Sequence, residues 1–470
     1  MLFTQIEFLL FFIFCLISIY LTSSNRFRKG ILLFASYYFY AYWDWRFLSL
    51  IIYSTLIDFI VGKYIARTKN QQVRKRLLFI SLVSNLSVLG FFKYFNFFIN
   101  SLSIPLAEIG LNVTTLNIIL PIGISFYTFQ TLSYTIDIYR NKIPPTSSIL
   151  DFSLFVAFFP QIVAGPIVRA AEFLPQLKVK RVINWDNLFI GFRLFTFGFF
   201  KKVFIADNLA IFVDKVFENP SVFSSITILL GVIAFGIQIY CDFSGYSDMA
   251  IGIAKALGYE LPLNFNYPYI AKNITDFWRR WHMSLSFWLR DYLYIPLGGN
   301  RKGTRRTYIN LMLTMLLGGL WHGASWNFVV WGGLHGIALA FHKLISNRSF
   351  LKNAKTPLII YSFLSRLITL FLVFVLWVIF RSSDFGLNQA MMIFKQLVNF
   401  NSDLILWIHP FVIIAFIFIW LTHILAIKNI QIDELLKSDK LYTPIVLFTM
   451  WWLIILYYPS VLNPFIYFQF

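Results

Sequence analysis

Apolar stretches long enough to cross a lipid bilayer recur from one end of this chain to the other. The clearest lie near residues 6–22, 31–61, 78–99, 115–136, 152–168, 188–212, 223–241, 308–345, 357–381, 404–427 and 442–462. About 20 apolar residues in a helix span the hydrocarbon core, so the longer stretches have room for two crossings. In hydrocarbon every backbone N–H and C=O must be paired within the protein, which selects helices for segments of this length. The expected fold is all-α: a polytopic transmembrane helical bundle with roughly eleven or twelve membrane helices, some short or re-entrant. No stretch reads as a second soluble domain, so residues 1–470 are expected to form a single integral membrane domain.

Composition agrees. Hydrophobic residues make up 58% of the chain and charged residues 13%, whereas a soluble domain carries about 25% charge. The aromatic content of 20%, with 55 Phe, suits lipid-facing helices and interfacial belts. The opening MLFTQIEFLLFFIFCLISIYL lacks a basic leading region and a small-residue cleavage site, so it is expected to be a retained first membrane helix. Cys15 and Cys241 sit in apolar runs, in no metal-ligand spacing, and read as small buried hydrophobes.

The net charge of +19 does not point to nucleic acid, because the basic residues cluster in short loops between apolar runs. Those clusters are Arg26, Arg28 and Lys29; Lys63, Arg67, Lys69, Arg74, Lys75 and Arg76; Lys178, Lys180 and Arg181; and Arg301, Lys302, Arg305 and Arg306. The positive-inside rule puts them in the cytosol and the first residues, with Glu7, outside. An even number of crossings between residues 30 and 62 keeps this consistent. The clusters also suit anionic lipid head groups or a phosphate-bearing substrate.

Residues 242–307 break the apolar pattern. Asp242, Asp248, Asn264, Asn266, Asp276, Arg279, Arg280, His282, Arg290 and Asp291 are interleaved with Trp278, Trp281, Trp288, Tyr292 and Tyr294. Such a mixture fits helices at an interface or lining a wet cavity, and a polar region set in a membrane protein marks a functional site by default. The alternative is a plain cytosolic loop with interfacial anchors.

Six histidines are the candidates for acid–base chemistry. His322 lies within the apolar LGGLWHGASWNFVVWGGLHG, where an imidazole needs a cavity or a partner. Gly318, Gly319, Gly323 and Ala324 around it allow close approach of a substrate or of another backbone. A base facing a cavity and an interhelical hydrogen bonder between packed glycines both fit these residues. His282 lies in FWRRWHMSLSFWLRDYLYIPLGGN. On a continuous helix Arg279, His282, Ser286 and Arg290 form one polar stripe, beside an apolar face of Trp278, Trp281 and Leu285. That stripe suits an anionic substrate and equally a solvated interfacial face. His335 reads as packing or support for the site, and His342, His409 and His423 as interface residues. No HExxH pattern, cysteine pair or P-loop is present, so no metal site is expected and ATP-driven work is disfavoured; Gly298-Gly299 after Pro296 reads as a turn.

The run WRRWHMSLSFWLRDYLYIPLGGN followed by LWHGASWNFVVWGGLHG resembles the signature of the membrane-bound O-acyltransferases, and more narrowly their bacterial alginate O-acetyltransferase branch. PIGISFYTFQTLSY from Pro121, FFPQIVAGPIVR from Phe158, YCDFSGYSDMAIG from Tyr240 and FIYFQF from Phe465 agree, in the same order, so the resemblance covers most of the chain. It implies a helical bundle with a central funnel or tunnel, and a core segment at 242–345 that carries both histidine motifs. It assigns the base to His322 and a second catalytic position to His282. It implies acetyl-coenzyme A (or an acyl carrier protein) as donor, with no permanently bound cofactor. Arg279, Arg280, Arg290 and the cluster around Arg301 could then attract the donor's phosphates. The acceptor would be a hydroxyl of an exported polysaccharide or peptidoglycan, reached directly or through an extracytoplasmic partner transferase. The setting would be the bacterial inner membrane. Two other readings stand beside it. One is a D-alanyl transferase for teichoic acid. The other is a transporter of envelope lipids or glycans, which leaves the two histidine motifs without a purpose and for which inverted repeats are wanting.

Overall fold

The computed structural model describes residues 1–346, 358–399, 404–430, 435–437, 440–459 and 463–466. Among them every regular element is a helix, and the one strand-like feature is a lone bridge between Phe223 and Ile405. The all-α expectation is met. The last four residues of FIYFQF, residue 357 of the 357–381 run and residues 460–462 of the 442–462 run lie outside the described residues.

Among the described residues six helices are long and apolar enough to cross a membrane: Asn25–Arg67, Gln71–Glu108, Ser225–Ala256, Trp326–Ser346, Ile360–Asp384 and Pro410–Ile427, with Ile6–Leu21 and Tyr442–Leu456 as shorter apolar helices. The first of these is broken at Asp44, whose backbone is extended and whose carboxylate accepts the Arg46 N–H at 3.0 Å. It therefore consists of two 20-residue helices, Asn25–Asp44 and Leu48–Arg67, each matching the hydrocarbon thickness. Among the described residues these candidates are fewer than eleven or twelve, and one of the apolar runs is core. The 152–168 run forms only the short helices Ile149–Ala157 and Phe159–Ile162, and its residues are buried. An apolar run buried on all sides cannot be told from a lipid-facing one by hydropathy alone.

The chain packs as two compact units. The first comprises Met1–Phe195 and Met249–Pro262. Its helix Ile124–Tyr139 is buried over nearly its whole length. Gly123, at a φ of 75°, begins it where a Cβ would lie 2.4 Å from the Ile162 carbonyl oxygen, which accounts for the glycine of PIGISF. Asp58 of Leu48–Arg67 accepts from Asn85 Nδ2 and Thr135 Oγ1, both at 3.0 Å, and from Ser81 Oγ. A polar cluster of this kind ties helices together where apolar contacts give no preference over lipid.

The second unit comprises Thr196–Asp248 and Leu263–Phe470. Its centre is a hairpin of Gly303–His322 and Trp326–Ser346. The two backbones meet at glycines: a Cβ on Gly319 would lie 2.2 Å from the Phe328 carbonyl oxygen, and one on Gly332 2.3 Å from that of Met315. Cys241, like Cys15 in the first unit, is buried and free.

Candidate active site

Both histidine motifs fold into the second unit, and their imidazoles come together. The rings of His282 and His322 are 6.3 Å apart between centroids, inclined at 60°, and both are fully buried.

The polar stripe expected of a continuous helix does not form. Ile274–Trp278 and Met283–Leu289 are separate short helices, and His282 stands between them with a φ of 42°. A left-handed non-glycine residue costs about 1–3 kcal/mol and persists only where its surroundings hold it. Here Asn264 holds it. The Asn264 carbonyl accepts the Met283 N–H at 2.8 Å. Its side-chain Oδ1 accepts from the Ser284 N–H at 3.2 Å, from Ser284 Oγ at 2.9 Å and from His282 Nδ1 at 3.1 Å. Its Nδ2 donates to Ser247 Oγ at 3.2 Å. Because a backbone N–H can only donate, the atom facing His282 is the amide oxygen, and Nδ1 carries the proton. Nε2 of the neutral ring then bears the lone pair. Burial pushes the His282 imidazole down to about 3, so it is neutral at physiological pH.

The break turns the stripe inside out. His282 points into the protein, between Phe243 at 4.6 Å and Trp321 at 5.6 Å, while Arg279 and Arg290 stay at the surface. Asn264 was noted in the sequence only as one polar residue among many. Nothing in the local pattern links it to a histidine 18 positions on.

His322 ends the Gly303–His322 helix. Its ring is enclosed by Trp321 at 5.3 Å, Trp331 at 5.1 Å and Phe380 at 5.6 Å. The neighbouring glycines serve packing: a Cβ on Gly318 would meet Leu289, and one on Gly323 would run into the Phe328 ring at 2.1 Å. They set how closely the aromatic walls approach the imidazole.

A groove of about 450 Å³ lies beside this pair and is lined by Thr275, Trp278, Arg279, Ser286, Arg290, His342 and Lys343 among others. Its volume falls in the range of small-molecule sites. Arg279 makes no ion pair among the described residues, Arg290 holds Asp291 through Nε at 2.7 Å, and Lys343 reaches Asn300 at 2.6 Å. Arg280 does not line the groove. It is taken up by Asp276 at 2.8 Å and the Asn266 carbonyl at 3.3 Å. Trp278 lines the groove and lies 5.8 Å from Trp331, which in turn lies against His322. Two tryptophan rings in succession, Trp278 and Trp331, therefore lead from the cationic groove to His322.

The remaining histidines divide. His335 is buried against Trp331 at 4.5 Å and accepts from Trp278 Nε1 at 3.3 Å, supporting those two rings. His342 is half-buried on the groove and shares a hydrogen bond with Thr275 at 3.0 Å. His409 is half-buried on Phe212. His423 is not the interface residue expected from its place beside an apolar run: it is buried, bonded to the Ile419 carbonyl at 2.9 Å and packed on Tyr240 and Tyr269.

These features define a multi-pass helical membrane protein with a buried histidine pair behind a groove suited to an anionic substrate. A sequence model of the membrane-bound O-acyltransferase family matches residues 37–381, and the chain belongs to that family: it is a membrane O-acyltransferase. It is 43% identical over 406 residues to the Pseudomonas aeruginosa protein named "Probable alginate O-acetylase AlgI", covering 86% of this chain and 76% of that one. It is 41% identical over 401 residues to a peptidoglycan O-acetyltransferase of Helicobacter pylori, covering 80% and 74%. A teichoic acid D-alanyltransferase of Streptococcus thermophilus is 30% identical over 252 residues, covering 50% and 58%.

Proposed function

We propose that the protein moves an acetyl group from cytosolic acetyl-coenzyme A towards hydroxyls of an exported cell-envelope polysaccharide, of the alginate or peptidoglycan kind. The observation that carries this reading is the groove with Arg279, Arg290 and Lys343, linked to His322 through Trp278 and Trp331. Arginine and lysine suit the phosphates of coenzyme A. A thioester is already activated, so the enzyme's work is to place a hydroxyl and manage one proton. In this reading His322 takes the hydroxyl proton as the oxygen attacks the thioester carbonyl. The carbon–sulfur bond breaks, and the proton passes to the departing thiolate. His282, neutral and fixed by Asn264, orients the reacting groups, and nearby donors steady the oxyanion. The basic loops support a groove open to the cytosolic side of a bacterial inner membrane, and in this reading an extracytoplasmic transferase is the fitting recipient where the polymer lies beyond reach. The acetylating relatives match more of the chain, and at higher identity, than the D-alanyl transferase does, which favours acetyl over D-alanyl.

The test is release of free thiol from acetyl-coenzyme A by the purified protein with a glycan acceptor or its partner present. Turnover with acetyl-coenzyme A and none with a D-alanyl carrier protein supports the reading. Turnover only with a loaded carrier protein contradicts it.

A further inference from the structure

A buried ionic cluster in the second unit has no part in the chemistry above. Lys202 lies between two carboxylates, 2.7 Å from Asp207 and 2.6 Å from Asp242, and all three side chains are almost wholly buried. Burying three ionisable groups is costly, and a fold that needed only volume here would be served by apolar side chains. The cluster holds no ligand-sized space. The cavity beside it, bordered by Gln238, Arg381 and Asn463, has a volume of about 30 Å³, room for about one water molecule.

What the cluster does hold is a stretch of main chain. Lys202 Nζ donates to the Asn463 carbonyl at 3.0 Å, and Asp242 Oδ2 accepts the Ile466 N–H at 2.8 Å. The two bonds bracket Phe465. Its ring is buried 5.2 Å from Phe243 and 5.1 Å from Tyr246. Phe243, next to Asp242 in sequence, stands edge-on to His282 at 4.6 Å. His282 is thus fixed from two sides: Asn264 holds its Nδ1, and Phe243, backed by Phe465, holds its ring.

We propose that Lys202 and Asp242 are positioning residues: they clamp residues 463–466 so that Phe465 braces Phe243 against His282. This rests on the acyl-transfer reading for its kinetic consequence, and on geometry alone for its effect on His282. A displacement of the order of 1 Å at a reacting group can cost on the order of a hundredfold in rate, so a loosened brace registers in turnover more than in substrate binding. A cluster that served only stability would lower the melting temperature and leave the turnover of the folded fraction as it was.

The decisive comparison uses the full chain in one detergent. Phe465→Ala is expected to lower kcat by tenfold or more, with the KM for acetyl-coenzyme A within about twofold, and to cause no further loss in a His282→Gln background. Unchanged kcat, or a loss that multiplies in full with that of His282→Gln, overturns the proposal. Phe465→Leu, which keeps most of the apolar volume, makes the same comparison if the alanine variant does not fold. A second readout needs no turnover. The imidazole ¹⁵N signal of His282, assigned by its loss in His282→Gln, should move in Phe465→Leu and in Asp242→Ala. A signal unmoved by both variants overturns the clamp. If the wild-type protein transfers no acetyl, the acyl-transfer reading fails and the nitrogen signal alone decides the clamp.

Discussion

Burial keeps the His282 imidazole neutral well below the pH at which a free imidazole takes a proton. Its depressed pKa has a stability consequence whose sign is fixed. The folded value of about 3 lies below the ordinary 6.5, so between those values the unfolded chain binds the extra proton. Stability from this group is complete above about 6.5 and falls as the pH drops towards 3. Melting curves at pH 7.5 and pH 5 should therefore show a larger loss for wild type than for His282→Gln; equal losses would mean that the ring can be charged where it sits. Asn264 gives the second residue-scale prediction. Asn264→Ala removes the acceptor for Nδ1 and for the Ser284 N–H together, and a buried donor left without a partner costs about 1–3 kcal/mol. Both turnover and melting temperature should fall, and full activity in that variant would remove Asn264 from the site. The two histidines were legible in the sequence because an imidazole in an apolar or Trp-rich run demands a reason. Asn264 was not, since it meets His282 only through a left-handed turn that no local propensity predicts.

At the scale of elements, the glycines around His322 lie against a neighbouring backbone or side chain. Gly319→Ala would press a methyl group into the Phe328 carbonyl and should destabilise the hairpin by about 1–3 kcal/mol, the usual cost of overpacking. Gly30→Ala, in the Asn25–Asp44 helix with open space around it, should be neutral or slightly stabilising. Thermal denaturation of the two variants side by side checks this; equal behaviour would contradict the close contact. The hairpin's two helices were readable from the 308–345 run, which was long enough for a pair. The polar stripe of Arg279, His282, Ser286 and Arg290 was an error of a different kind. Three- and four-residue spacing implies a shared face only if the helix is unbroken, and the break at His282 sends the imidazole inward and the arginines outward. The buried position of His423 was hidden for a related reason: hydropathy locates a helix but not the faces of its neighbours.

For the whole molecule, the helical membrane architecture followed directly from the apolar runs, and the number of crossing helices did not, because core and lipid both reward apolar side chains. The division of the three arginines assigned to donor binding likewise needed the folded groove. Arg279→Ala should raise the KM for acetyl-coenzyme A about ten- to a hundredfold, as expected for a lost charged hydrogen bond of about 1.5–3 kcal/mol. Arg280→Ala, outside the groove and held by Asp276, should leave that KM nearly unchanged. Equal effects would mean that the groove is not where the donor binds. The account as a whole depends on His322 acting as the base. Glutamine can hydrogen-bond in its place but cannot take a proton, and general-base catalysis contributes typically 10²–10⁴-fold. The most direct measurement is therefore acetyl transfer and thermal stability for His322→Ala and His322→Gln in the same detergent. The account predicts folded protein with only a trace of turnover in both variants. Near-normal turnover by His322→Gln, with His322→Ala merely less stable, would contradict it.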